Sequence, residues 1–244
     1  MASTLYHGFE RRDLVLDGCP VIIVEPRDPA PENRWIWRAE FFDAFPAFDL
    51  TMLARGWRLV YMNVGNTFGC PKAMAHFDAL YQELVRRQAF HPRPVLEGLS
   101  RGGLYVYAWG SAGPGRVGAI YGDNPVCDFK SWPGGRAAGP GSPQDWEELK
   151  RCYGFATDAE ALAWTRNPVD SLEPLARASI PLVHVFGDAD EAVPWEENTG
   201  ILAERYRSLG GKIELFRKPG QRHHPHGPDD PDALAAWMMD HALA

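Results

Sequence analysis

Hydrophobic and polar positions alternate in two short runs near the start of the chain, "RRDLVLDG" and "PVIIVEP", and Asp17-Gly18-Cys19 between them makes the pair read as a hairpin. The beginning of the sheet is therefore expected to be antiparallel. Further along, "RWIWRAEFF", "RLVYMNV", "RPVLEGLS", "RVGAIYGDN", "IPLVHVFGDAD" and "KIELFRKPG" are short β-rich runs, and longer amphipathic segments separate most of them. In "KAMAHFDALYQELVRRQ", Met74, Phe77, Leu80, Tyr81, Leu84 and Val85 recur at helical spacing, which predicts a helix that buries one face. Helices are also predicted from about Gly102 to Trp109, in "EENTGILAERYRSLGG", whose closing glycines suit a C-terminal cap, and in "PDALAAWMMDHALA". Strands alternating with helices imply crossover units, hence a mostly parallel sheet with helices on both faces.

One stretch breaks the rhythm. Residues 126–180 hold the Gly- and Pro-rich "CDFKSWPGGRAAGPGSP", then helix-like "QDWEELKRCYG" and "DAEALAWTRN". A long structureless loop inside a domain is uncommon, so this segment is expected to be a short lid inserted over one end of the sheet. With 244 residues, 45% hydrophobic and 12% aromatic, the chain can bury a full core, and one domain spanning 1–244 is expected.

Composition narrows the partners. A formal charge of −7 opposes binding along a phosphate backbone, so no nucleic acid is expected. The opening "MASTLYHGFERRDLVLDG" lacks a secretion-type apolar run, and no stretch approaches the roughly 20 apolar residues of a membrane span, which predicts a cytoplasmic protein away from membranes. Cys19, Cys70, Cys127 and Cys152 are scattered without a C-x-x-C pair and read as buried thiols.

The candidate chemistry starts at Gly98-x-Ser100-x-Gly102, between a β-run and a helix-like run. That context fits a nucleophile elbow, where serine sits on a sharp, strained turn and the glycines let backbones approach. A serine hydroxyl is a poor nucleophile until a base takes its proton, and the base needs an acid to hold its tautomer. Downstream, "HVFGDADEAVP" offers Asp188 and Asp190, and "KPGQRHHPHGP" offers His223, His224 and His226. The H-H-x-H spacing lacks the helical His-x-x-x-His repeat and no Cys or carboxylate obviously completes a set, so no metal is expected.

"GLSRGG", "GDADEAVP" and "PGQRHHPHG", in this order, resemble the α/β-hydrolase superfamily, especially its esterase and prolyl-oligopeptidase-like branches. The resemblance extends over nearly the whole chain and implies a Ser100–His223–Asp190 triad without a cofactor. In the pattern G-x-x-D-x-x-V-P, Gly187 comes first and Asp190 takes the acid position, leaving Asp188 to shape the turn. The G-x-G-H form of the base loop matches Gly220 to His223 apart from Arg222, with His224 as the alternative base.

The resemblance also implies an oxyanion hole formed by the Arg101 amide and by that of Glu40 or Ala39, where many relatives carry His-Gly and this chain has Arg38-Ala39-Glu40. Arg38, Glu40 and Arg101 bring charge to the site, so Arg38 or Arg101 is a candidate partner for an anionic substrate. Asn66 and, among the lid tryptophans, Trp132 are further candidates for substrate binding. The expected activity is a serine hydrolase acting on esters of small polar molecules, with no cofactor. Cleavage of amides and a non-catalytic ligand-binding role are the alternatives, and the lack of an N-terminal propeller weighs against selection of large peptides. Acyl group, alcohol and oligomeric state are not legible.

Overall fold

In the computed structural model, which describes residues 4–242, the β-rich runs form nine strands. They are β1 (Thr4–Tyr6), β2 (Phe9–Leu16), β3 (Cys19–Glu25), β4 (Trp35–Arg38), β5 (Arg58–Met62), β6 (Val95–Leu99), β7 (Ala119–Asp123), β8 (Leu182–Gly187) and β9 (Ile213–Lys218). All join one sheet in the order β1-β2-β3-β5-β4-β6-β7-β8-β9. The first strands pair antiparallel as far as β3 against β5, and every later pairing is parallel. Beyond the anticipated hairpin the structure adds β1, and it inserts β5 between β3 and β4, an exchange that no local pattern announces.

The described residues also form eight α-helices: α1 (Ala47–Ala54), α2 (Pro71–Gln82), α3 (Gly102–Ala112), α4 (Pro143–Tyr153), α5 (Asp158–Leu162), α6 (Glu173–Arg177), α7 (Ile201–Ser208) and α8 (Pro231–Ala242). Helix α1 falls where the aromatic-rich segment after β4 gave no helical reading. Successive strand residues point to opposite faces of a sheet, and here they feed two separate cores. Trp35, Trp37, Leu96, Ile120 and Leu182 face α2, α3 and α7, whereas Ile36, Val95, Tyr121 and Val183 face α1 and α8. Burial on both faces explains why the central strands read as nearly continuous apolar runs. At roughly 1.5–3 kcal/mol for each fully buried large apolar side chain, these two layers supply the main drive for folding.

The segment between β7 and β8 carries α4, α5 and α6. Ser142 caps α4 by accepting the Asp145 amide, and Gly154 ends it in the left-handed conformation at φ 78°. The four cysteines are unpaired, and Cys19, Cys70 and Cys127 are buried. Among the described residues no helix is long and apolar enough to cross a membrane.

Candidate active site

The carboxyl ends of the parallel strands gather the candidate residues, as expected for an open α/β sheet, where loops after the strands are free to build a site. Ser100 follows β6 directly and has φ 48°, a left-handed conformation that costs a side-chain-bearing residue energy. The turn persists because it is tied down on two sides: the Ser100 amide donates to Asp123 O at 2.9 Å, and the Val126 amide donates to Ser100 O at 2.8 Å. A Cβ on Gly98 would sit 2.7 Å from the Gly102 backbone, and one on Gly103 would sit 2.6 Å from Val126 O. Gly102 itself has room, its nearest contact being Glu40 Cβ at 3.6 Å. The steric demand at this elbow therefore falls on Gly98 and Gly103.

From this turn runs an unbroken line of hydrogen bonds. Ser100 Oγ lies 2.9 Å from His223 Nε2, and His223 Nδ1 lies 2.6 Å from Asp190 Oδ2. The other Asp190 oxygen accepts the Ala192 and Val193 amides, each at 2.9 Å, which holds the carboxylate facing the imidazole. Asp188 instead bonds Arg217 and the Gly220 amide and shapes the turn beneath. Gly187 lets the two loops meet, since a Cβ there would lie 2.4 Å from Gln221 O. Asn124, which no motif in the sequence singles out, links both loops: its Oδ1 accepts the Gly187 amide at 2.8 Å and its Nδ2 donates to His223 O at 3.0 Å. Lys218, buried at the end of β9, donates to Pro225 O and Gly227 O and braces the histidine loop from below. Such an arrangement can pass a proton from hydroxyl to imidazole while the carboxylate stabilises the resulting cation.

Of the two amides proposed beside Arg101, the structure separates Ala39 from Glu40. Ala39 N donates to Glu97 O at 3.0 Å, whereas the amides of Arg101 and Glu40 make no backbone hydrogen bond among the described residues. Neither amide is therefore committed to a backbone acceptor, as a donor to an oxyanion requires.

Arg38 is a correction. It is fully buried, hydrogen-bonds Asp49 and the Ala44 carbonyl, and reaches Glu97 at 3.2 Å, so it meets no substrate. Its charge is neutralised inside the protein, because an unpaired guanidinium there would lose its hydration without replacement. Burial, then the neighbouring Asp49 charge, pushes the Glu97 carboxyl well above its ordinary range. Glu97 Oε2 has no hydrogen-bond partner among the described residues, which fits a Glu97 carboxyl that keeps its proton beside the Arg38–Asp49 pair.

Arg101, by contrast, lies at the site. Its Nε donates to Glu40 at 2.7 Å, its Nη2 donates to Asn66 Oδ1 at 2.6 Å, and its guanidinium lies over the Phe41 and Phe68 rings. Burial raises the Glu40 carboxyl despite Arg101. Trp132 leans on Phe68 with ring centroids 6.3 Å apart, so Asn66, Arg101 and Trp132 form one connected wall. Phe41 and Phe45 are exposed. The other two tryptophans of residues 126–180 lie elsewhere. Trp146 is buried, and Trp164 lines a separate cavity of about 550 Å³ with Tyr153 and Arg166, remote in its lining from the triad.

The histidine tract holds a second surprise. His226 Nδ1 bonds Asp123 at 2.7 Å, and Asp123 also accepts the Tyr121 hydroxyl at 2.6 Å and the Gly227 amide at 2.7 Å. Burial alone would raise the Asp123 carboxyl, but the bonds from His226, Tyr121 and Gly227 hold it below the usual value. His224 is exposed and stacks on Phe45 at 5.8 Å. Partial burial, then the charges of His226 and His223, lower its pKa. One candidate ligand atom from each of His223, His224 and His226 lies within 4.8 Å of the others. The spacing argument against a metal had assumed a helix, and an irregular loop removes that assumption.

Compared with known proteins, the chain matches no family model and no curated sequence. Solved structures do match. The chain superposes on a Mycobacterium tuberculosis puromycin-hydrolyzing peptidase with TM-score 0.70 and 15% identity, over 96% of this chain and 38% of that one. For Porphyromonas gingivalis dipeptidyl peptidase 4 the TM-score is 0.71, the identity 14% and the coverage 96% and 36%. For Est1E from Butyrivibrio proteoclasticus the values are 0.65 and 16%, over 96% of this chain and 99% of that one. The chain thus spans somewhat over a third of the two peptidases and nearly all of Est1E. It has the α/β-hydrolase fold.

Proposed function

We propose that this protein is a serine hydrolase that cleaves carboxylic esters of small, polar molecules through an acyl-enzyme on Ser100. The observation that carries the reading is the continuous chain from Ser100 Oγ to His223 at 2.9 Å and on to Asp190 at 2.6 Å, set on an elbow with Ser100 at φ 48°. In this reading Ser100 Oγ attacks the ester carbonyl while His223 Nε2 takes its proton. Asp190 fixes the imidazole tautomer and stabilises the imidazolium. The Arg101 and Glu40 amides receive the oxyanion, a role worth about 10²–10³ in rate for each donor. The proton then passes to the departing alcohol, and water, deprotonated by the same histidine, releases the acid and regenerates Ser100.

The wall of Arg101, Asn66 and Glu40 favours a substrate with a polar or anionic group beside the ester, with the exposed Phe41 against Arg101 and Phe45 against the histidine loop as apolar surface. The segment 126–180 serves as the lid of this site. Tyr153 Oη donates to Phe68 O at 2.9 Å, and Cys152 and Trp132 meet the same β5–α2 loop, which supports that placement. Amide cleavage is the second reading, favoured by the match to two proteins named as peptidases. Amides demand more, because the leaving amine must be protonated as it departs.

The test is turnover of p-nitrophenyl esters from acetate to decanoate, one acyl group acidic, and of matched p-nitroanilides, by wild type and Ser100→Ala. Turnover of short esters that disappears in the variant is the expected result. Anilide turnover exceeding ester turnover would favour the peptidase reading, and binding of small molecules without turnover of either class would favour a non-catalytic role.

A further inference from the structure

His223 and His226 share a feature that the hydrolytic reading uses only once. Each has Nδ1 bonded to a buried carboxylate, Asp190 at 2.6 Å and Asp123 at 2.7 Å; the other nitrogen meets Ser100 Oγ in His223 and makes no hydrogen bond among the described residues in His226. A histidine anchored through one nitrogen by a carboxylate, with the other nitrogen presented, is the arrangement typical of zinc-ligating imidazoles. His224 completes a triangle. The three ring centroids lie 4.8–4.9 Å apart, the planes are inclined 71–80° to one another, and the candidate ligand atoms lie within 4.8 Å. The His224 ring is exposed, stacks on Phe45 and makes no hydrogen bond among the described residues, so no hydrogen bond opposes its rotation.

We propose that His223, His224 and His226 form a site for a divalent zinc ion at the mouth of the catalytic centre, and that its occupation switches Ser100 off. Three nitrogen ligands and an open fourth position suit Zn²⁺, whereas Mg²⁺ and Ca²⁺ require oxygen donors. With Zn–N distances near 2.0–2.1 Å, tetrahedral ligand nitrogens stand roughly 3.4 Å apart, so the triangle must contract by about 1.4 Å along its longest edge. Rotation of the exposed His224 provides much of that movement, while the two carboxylate-anchored rings supply a largely preset pair. Inhibition follows from electron-pair accounting: the His223 Nε2 lone pair that accepts the Ser100 proton is the one that would bind the metal, and it cannot do both. Phe45, against both His224 and His226, covers the site from one side.

Calorimetric titration with ZnCl₂ of wild type, Ser100→Ala and His224→Ala, after treatment with EDTA, tests the proposal without relying on turnover. The expected result is one zinc per chain in wild type and in Ser100→Ala. In His224→Ala the Kd should rise at least about tenfold, since even the loss of an outer partner costs 10–100-fold. Co²⁺ in place of zinc should give the intense visible bands of a tetrahedral site in wild type and lose them in His224→Ala. If an ester substrate is found, zinc should inhibit wild type reversibly and His224→Ala only at correspondingly higher concentration. Equal zinc affinity in wild type and His224→Ala, or no binding to wild type, overturns the proposal. Because Ser100→Ala is titrated directly, a failure of the hydrolase reading and a failure of the zinc site give different results.

Discussion

Two aspartate–histidine pairs stand side by side at the carboxyl end of the sheet, nearly identical in bond length and different in what lies beyond them. In Asp190–His223 the ring is 15% exposed and its far nitrogen meets Ser100 Oγ at 2.9 Å. In Asp123–His226 both side chains are buried, and the carboxylate is further saturated by Tyr121 and Gly227. The pairing alone therefore does not identify a general base. A base needs a third partner with a proton to give and access to substrate, while an enclosed pair whose carboxylate is bonded to His226, Tyr121 and Gly227 fastens two loops together. His184 extends the comparison to a buried histidine with no carboxylate partner. Among the described residues it bonds only the hydroxyls of Tyr107 and Thr199, and burial pushes its pKa down to about 3.

The largest effect separates the two aspartates. Asp190→Asn should lower kcat by about 10³–10⁴, by disturbing the tautomer of the base. Asp123→Asn should leave kcat within roughly tenfold yet cost about 3–5 kcal/mol in unfolding free energy, as for a buried pair that loses one charge. Steady-state kinetics and urea denaturation on both variants decide this, and equal losses of kcat would erase the distinction.

Next comes the uncharged histidine. Because the folded pKa of His184 lies below its unfolded value of 6.5, the unfolded chain binds the extra proton between the two. The associated stability is fully present above about pH 6.5 and falls by about 1.4 kcal/mol per pH unit as the pH drops towards 3. Urea unfolding from pH 7.5 to 4.5 should show a shallower acid limb in His184→Gln than in wild type; identical slopes would place the acid sensitivity elsewhere.

The smallest effect contrasts the two arginines, one enclosed like Asp123 and one open like His223. Arg101→Ala should raise KM about tenfold for esters with an acidic acyl group, the scale of one hydrogen bond to a charged group, and less for neutral ones. Arg38→Ala should lower the melting temperature without any such preference. A uniform change across all esters in Arg101→Ala would mean that this guanidinium serves structure alone.

The hairpin, the helix around Phe77, the elbow at Ser100, and the acid and histidine loops were legible because each signal is local: a period of two or 3.6 residues, a turn residue, or a short motif. Recognition of a motif order ranked Asp190 over Asp188, and hydrogen bonds to Arg217 and Gly220 show what Asp188 does instead. The exchange of β4 and β5, the burial of Arg38 against Asp49 and Glu97, and the union of Asp123 with His226 across 103 positions carried no such signal. Arg38 and Arg101 look alike in a string of letters, and both adjoin the same strand ends. Which of them meets solvent depends on where α1 carries Asp49 and where the β5–α2 loop carries Asn66. Those placements arise from packing between segments distant in sequence, so the chain's local chemistry names the candidates while long-range burial assigns their surroundings and charge states.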